Sequence, residues 1–419
     1  MTGSATPVAH HQAIDPGKSR RAAAGVPVVP AFDGFRGIAI LAIVVFHTLQ
    51  NAAIGIGPGE GAIGTYVWAI DPGQSALNAL FITSGFVMFL PIVARDGRFG
   101  AVSAFAMRRA ARLFPAYFVV LSLSLVLIAT LPLDPPLAFP SGGDILLNYT
   151  TLEVPAELVD PQYYLGFGMN RAIWTLSSDV VFYVLLIFFA ARWFRRPLVG
   201  LAISATIAVA WRLLMTNFDS LSSLLSIDIS PARIGELYLA GEIQFPFWAF
   251  SFGVGMTIAL LFAGGRSLQP KIGASLARRA QVASVVMFAA MAALVAIAQP
   301  DSVHYSPLLG LAYTATIGLF ILATILCSER WQWPFINRPI RWLGDVSYGI
   351  YLIHLVIITC LARLISMPHG TAGAAAIWLL AVVPLSILWG YLSARFIERP
   401  ARAWASRWAR RATKDVAGP

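Results

Sequence analysis

The sequence predicts an all-α membrane protein, a polytopic bundle of about ten transmembrane helices with both termini in the cytoplasm. Composition, the length of the apolar runs and the placement of arginine lead there. Of 419 residues, 58% are hydrophobic and 12% are charged, and the mean hydropathy is +0.72. Soluble domains carry about 25% charged residues, so a soluble globular protein is excluded.

A hydrocarbon core about 30 Å thick needs about 20 apolar residues per helix at 1.5 Å rise. Ten runs of that order occur, at approximately 35–54, 75–94, 112–131, 173–191, 198–215, 244–263, 281–299, 307–327, 346–366 and 373–394. They are continuously apolar and rich in Leu, Ala and Ile, without the alternation of a β-barrel strand. Ahead of them, residues 1–30 hold His10, His11, Lys18, Arg20 and Arg21 among Ala, Pro and Gly. No apolar stretch precedes residue 31, so this segment reads as a disordered basic cytoplasmic tail, with the first span as an uncleaved signal anchor. The membrane domain is expected over 31–402. In 403–419, Trp404 and Trp408 stand four apart near Arg402, Arg407, Arg410 and Arg411, the pattern of an amphipathic, basic helix on the inner membrane face.

Arginine sets the orientation. Loops on one side of the ten spans, beginning with the N-terminal tail, hold 25 of the 30 Lys and Arg residues, whereas the opposite loops hold Arg171 and Arg233. The positive-inside rule then puts both termini in the cytoplasm of a multi-pass protein of the cell (inner) membrane. The formal charge of +10 is thus topological and argues against a nucleic-acid partner. Cys327 and Cys360 lie in apolar runs, and no Cys/His spacing suggests a disulfide framework or a metal site. The longest outer loop, 132–172, carries Asp134, Asp144, Glu153, Glu157 and Asp160, an acidic surface that would suit a glycan; loops beyond about 15 residues are usually functional.

Ionisable side chains at bilayer depth are functional candidates. In the first span, Arg36 and His47 are 11 residues apart, which places them on one helix face with roughly 16 Å between them. Arg36 is expected near the cytoplasmic edge and His47 near the bilayer middle. Alternatively, Arg36 pairs with Asp33 and His47 bonds a neighbouring carbonyl. Before the third span, Arg109 and Arg112 sit at i, i+3, a two-pronged guanidinium site suited to phosphate or simply positive-inside anchoring. The fourth span opens on Trp174 and holds Asp179 and Tyr183. By residue counting Asp179 lies roughly 9 Å below the outer boundary, at a depth similar to that of His47, which it would orient. In the ninth, Ser347, Tyr351 and His354 form one inward stripe beside Tyr348, which could equally be helix–helix glue.

Together the stretches FDGFRGIAILAIVVFH, FITSGFVMF, RRAARLFPAY, WTLSSDVVFY, SYGIYLIH and FIERP, in this order, resemble the acyltransferase-3 family of integral-membrane enzymes, from about residue 31 to 402. Members O-acylate surface polysaccharides, lipid-linked sugars and some antibiotics. The resemblance implies ten spans, His47 as catalytic histidine, Arg36 as the first-span arginine, and Arg109 and Arg112 as the groups that engage acyl-CoA. Asp179 stands where the family has Glu, and Thr175 where Ser is common. Trp174, Tyr183, Ser347, Tyr348, Tyr351 and His354, with Glu398 of FIERP, are candidates for acceptor contact or polar packing. Members with an appended esterase-like domain differ from this sequence, in which a short basic tail follows the last span.

The expected chemistry is acyl transfer from acyl-CoA, as co-substrate on the cytoplasmic side, to a hydroxyl of a glycan, glycolipid or glycosylated metabolite, with no bound cofactor. An imidazole, with an unperturbed pKa of about 6.5, can accept the hydroxyl proton at neutral pH. Arginine cannot act as base, but its fork clamps phosphates. Two alternatives remain at this point: acylation of a cytoplasmic antibiotic sugar, and a proton-coupled transporter whose Arg, His and Asp line a path.

Overall fold

The computed structural model describes residues 28–56, 60–159, 165–226, 229–265, 270–298 and 306–416. Most of the expected N-terminal tail and Asp160 lie outside these residues. Among the described residues there are helices and no strands, and ten helices are long and apolar enough to cross a membrane. They are α1 (Ala31–Asn51), α2 (Pro72–Val93), α3 (Val102–Thr130), α4 (Trp174–Arg195), α5 (Pro197–Thr216), α6 (Phe245–Gly265), α7 (Pro270–Ala298), α8 (Pro307–Leu326), α9 (Arg338–Leu364) and α10 (Ala372–Ser393). A π-helical turn, Ala394–Glu398, leads into α11 (Arg399–Val416). The ten runs read from sequence correspond one to one. The third, seventh and ninth helices begin earlier than their apolar runs, at Val102, Pro270 and Arg338, because polar residues continue the helix beyond the hydrocarbon.

Close packing in a lipid-facing bundle depends on small residues that let backbones approach. Helices α1 and α9 meet where Gly37 abuts the Gly344 backbone and the Ile340 carbonyl, while Gly344 lies against the Asp33 carbonyl. Across α2 and α6, Gly85 lies on the Phe252 carbonyl and Gly255 on the Ile82 carbonyl. A Cβ at any of these positions would meet backbone, which cannot move aside as a side chain can. Around the two crossings, Phe81, Phe86, Phe89, Phe252 and Trp248 fill the core, with Phe182 stacked on Phe252 at 4.2 Å.

Residues 165–173 do not run over the surface. They fold back into the bundle as two short 3-10 turns, Leu165–Gly168 and Arg171–Ile173, and Phe167, Met169, Ala172 and Ile173 are buried. Three hydrogen bonds tie them to α9: Asn170 Nδ2 donates to the Leu352 carbonyl at 2.6 Å, Thr359 Oγ1 to the Met169 carbonyl at 3.1 Å and Tyr351 Oη to the Ala172 carbonyl at 2.7 Å. Irregular backbone at membrane depth is tolerated only where protein buries it in this way. As a result α4 starts beside the middle of α9.

The short helix Gly142–Thr150 is held by a capping box, Ser141 with Asp144, and Asn148 Oδ1 accepts from the Gly166 N–H at 2.9 Å. Helix α11 packs on α3 and leaves Trp404 and Trp408 largely exposed, as an interfacial helix requires.

The arginine asymmetry gives a testable orientation. In a background lacking Cys327 and Cys360, a single cysteine at Gly142 is expected to react with a membrane-impermeant maleimide in intact cells. One at Arg195 is expected to react only after permeabilisation, and the reverse pattern would invert the topology.

Candidate active site

A cavity of about 120 Å³ lies between α1, α2, α3, α4 and α9. Its polar lining comes from Arg36, Ser84, Arg112, Asp179, Tyr183, Ser347 and Tyr348, with Thr175 and Tyr351 toward its other end. Arg36 enters because α1 is pinned to α9: its Nη2 donates to the Gly344 carbonyl at 2.9 Å, the same oxygen that accepts from Ser347 Oγ at 2.8 Å. Asp33 acts electrostatically on Arg36, as the alternative pairing expects, and its Oδ2 also reaches across to α9, 4.0 Å from Arg341 Nε.

Asp179 accepts from Ser84 Oγ at 2.9 Å and has Tyr183, Arg112 and Arg109 within electrostatic reach. The expectation that it lies at the depth of His47 and orients it is not met: its partners are Ser84, Tyr183 and the two arginines. The inward fold of 165–173 lowers the start of α4, and Asp179 follows Ala172, which lies level with Tyr351, by about two turns along α4 away from the histidines. It therefore shares the guanidinium end of the cavity, where a carboxylate offsets the mutual repulsion of Arg36 and Arg112. Arg109 is placed one turn from Arg112, 5.9 Å from the Phe105 ring, and does not line the cavity. Arg112 thus lines the cavity directly, while Arg109 stands behind it, with buried guanidinium nitrogens and within electrostatic reach of Asp179 and Tyr183.

Glu398 is buried on the π-helical turn, accepting from Ser393 Oγ at 3.1 Å, and Arg402, Arg112 and Arg36 act on it. A π turn is frequent at functional sites because it rotates a side chain out of α-helical register. Tyr348 Oη donates to the Leu113 carbonyl at 2.9 Å. Trp174 packs against Trp248, with centroids 5.6 Å apart, as an aromatic wall instead of a polar contact.

Above the cavity, Tyr351 links to the histidines. Thr175 Oγ1 donates to Tyr351 Oη at 2.9 Å, and the Tyr351 ring centroid is 5.5 Å from that of His354. His354 and His47 are stacked, with centroids 5.5 Å apart and planes at 28°. His47 Nδ1 lies 3.2 Å from Gln50 Oε1. An amide oxygen only accepts, so Nδ1 carries the hydrogen and Nε2 keeps the lone pair a base needs. His47 lies four residues from the C-terminal end of α1, well past the middle of the helix where it was expected. The polar groups form a column from the guanidinium end to this pair. Among the described residues no His/Cys/Asp/Glu group could hold a metal ion.

Three contributors escaped the sequence reading. Ser84 lay inside a quoted motif with no signal singling it out. Gln50 follows His47 by three residues, a helical spacing that could have revealed it. Glu153 was read as part of an acidic outer surface, yet it is fully buried and Glu157 nearly so. Ser177 Oγ donates to Glu153 Oε1 at 2.5 Å, and Oε2 has no hydrogen-bond partner among the described residues. Burial, with a smaller contribution from the neighbouring Glu157, pushes the Glu153 carboxyl up to about 7 against the opposing pull of Ser177.

A family model described as an acyltransferase domain matches residues 29–395. The peptidoglycan O-acetyltransferase OatA of Listeria monocytogenes is 24% identical over 391 residues, covering 89% of this chain and 56% of the relative. YrhL of Bacillus subtilis (strain 168), provisionally assigned as a peptidoglycan O-acetyltransferase, is 24% identical over 393 residues, covering 90% and 56%. Nodulation protein 10 of Rhizobium leguminosarum bv. viciae is 24% identical over 363 residues, covering 82% and 86%. The chain spans little more than half the length of the first two relatives. No solved structure matches it.

Glu153 gives a pH dependence with a defined sign. Its folded value is raised from 4.5 to about 7, so the folded state holds the proton more tightly and stability falls as pH rises between these values. Glu153→Gln stays neutral throughout. It is expected to melt several degrees above wild type at about pH 8 and level with it at about pH 5, measured by thermal unfolding in detergent. Equal melting at both pH values would mean the carboxyl titrates normally.

Proposed function

The chain belongs to the acyltransferase-3 family, and from that premise we propose that it is a membrane O-acyltransferase moving an acyl group from cytoplasmic acyl-CoA to a hydroxyl of a cell-surface glycan or glycolipid. The observation that carries this reading is the polar column, with Arg36 and Arg112 at one end and the His47–His354 pair at the other. Guanidinium forks suit the phosphates of CoA. Between Arg36 and His47 the helix rises roughly 16 Å, a span that the extended pantetheine arm can bridge.

In the proposed reaction the acceptor hydroxyl loses its proton to His47 Nε2 as its oxygen attacks the thioester carbonyl carbon. The new C–O ester bond forms, the C–S bond breaks, and the imidazolium returns the proton to the departing sulfur, giving CoA thiol and the O-acyl product. Gln50 holds His47 in the tautomer this requires. The relatives named as peptidoglycan O-acetyltransferases support an acetyl group and a cell-wall acceptor. The position of His47 near the outer end of α1 favours an acceptor on that side over a cytoplasmic antibiotic sugar.

The direct test is mass spectrometry of envelope glycans from a deletion strain and its complement, in which one O-acyl mass is expected to vanish and return. In the same strain His47→Ala is expected to lose transfer by roughly 10²- to 10⁴-fold, the usual contribution of a general base, with unchanged expression and melting. Retention of more than about a tenth of the rate would remove His47 as the base.

Arg112→Ala is expected to raise the KM for acetyl-CoA by about tenfold or more while leaving kcat near wild type, and Arg112→Lys to recover part of that loss because it restores charge without the bidentate fork. An unaltered KM in both variants would move the donor site elsewhere.

A further inference from the structure

His354 poses a problem that packing does not answer. It is fully buried, and its Nδ1 lies 2.6 Å from the Tyr351 carbonyl. A carbonyl oxygen only accepts, so Nδ1 carries the hydrogen and Nε2 keeps a lone pair. That nitrogen has no hydrogen-bond partner among the described residues. An unmatched buried acceptor costs stability, and phenylalanine would fill the same space without that cost. Two rings lie against it, those of His47 and Tyr351, each with its centroid 5.5 Å away; among the described residues His47 is the titratable side chain that acts on His354 electrostatically, and the other polar neighbours are the backbone carbonyls of Tyr351 and Ile350. The polar neighbour of His47 on its own helix is Gln50.

We propose that His354 is a positioning residue for His47: its stacked ring fixes the plane of the His47 imidazole, and its unprotonated nitrogen gives the proton-carrying form of His47 a neutral, electron-rich neighbour. The locked Nδ1–H directs the negative end of the imidazole dipole to Nε2, so the stack favours a positive charge on His47 and disfavours one on His354 itself. In the transfer step the proton passes from the acceptor hydroxyl to His47 and on to sulfur, and His354 never binds it. The catalytic consequence rests on the acyl-transfer reading; the pairing of the rings does not.

The test uses the full chain in proteoliposomes with His354→Phe, which keeps a stacked ring and removes the nitrogens, and His354→Asn, which keeps a polar acceptor. Two quantities are followed against pH: acetyl transfer from acetyl-CoA to O-deacetylated peptidoglycan fragments, and carbethoxylation of His47 by diethyl pyrocarbonate, read by peptide mass spectrometry. His354→Phe is expected to lower kcat about tenfold or more with the KM for acetyl-CoA within about twofold. It is also expected to move the pH midpoint of His47 carbethoxylation by about half a unit or more, and His354→Asn to recover part of kcat. Wild-type kcat and an unmoved midpoint in His354→Phe would overturn the proposal. Should that variant not fold, an unmoved midpoint in His354→Asn overturns it equally. If wild type transfers no acetyl group and the midpoint still moves, the pairing stands and the acyl-transfer reading falls.

Discussion

Everything at the candidate site depends on the contact between α1 and α9 through Gly37 and Gly344. The helices run parallel, and their shared register is set where neither backbone tolerates a Cβ. From that point His47 and His354 are each ten residues further along, so roughly 15 Å of identical rise brings both imidazoles to one depth. Toward the cytoplasm the same contact delivers the Gly344 carbonyl to Arg36. A methyl group at Gly344 would press on the Asp33 backbone and separate both ends of the column at once. Glycine is costly inside a helix, and here the cost secures register instead of flexibility.

The second constraint is the inward fold of 165–173. A loop at membrane depth must have every backbone group matched, and α9 supplies the Leu352 carbonyl while taking the Met169 and Ala172 carbonyls as acceptors. By occupying the outer half of the bundle, this segment pushes α4 down and carries Asp179 to the arginines. The carboxylate that residue counting places at the depth of His47 becomes the counter-charge of Arg36 and Arg112. The outer acidic residues change character likewise: Asp144 closes a capping box, and Glu153 is tied to Ser177 beneath the surface.

What the sequence made legible follows from which signals are local. Ten helices were readable because a hydrocarbon slab imposes a length on each span independently of its neighbours, and the family followed from motifs that each lie within one helix. Arg36, Ser347, Tyr351 and His354 were legible as inward-facing because helical spacing decides a face. Depth was not legible: His47 stands four residues from the end of α1 instead of near its middle, and the start of α4 is fixed by hydrogen bonds to residues about 180 positions away. Partners across helices, such as Ser84 with Asp179 or His47 with His354, have no signature in either segment alone.

The separation of charges along the column explains how one bundle could serve two compartments. A guanidinium cluster is kept in contact with water most cheaply at the cytoplasmic end, where Asp179 and Glu398 also offset it, since an uncompensated buried cation costs several kcal/mol. A neutral imidazole carries no such penalty and can sit deeper, among Tyr351, Thr175 and the buried turn of 165–173. Charge therefore falls along the path while hydrogen-bonding capacity persists, with the hydroxyls of Thr175 and Tyr351 replacing ionised groups. Such a gradient would hold a polyanionic donor by its head and admit only its uncharged arm. Phosphate would stay where arginine is, and the thioester would travel on to the histidines.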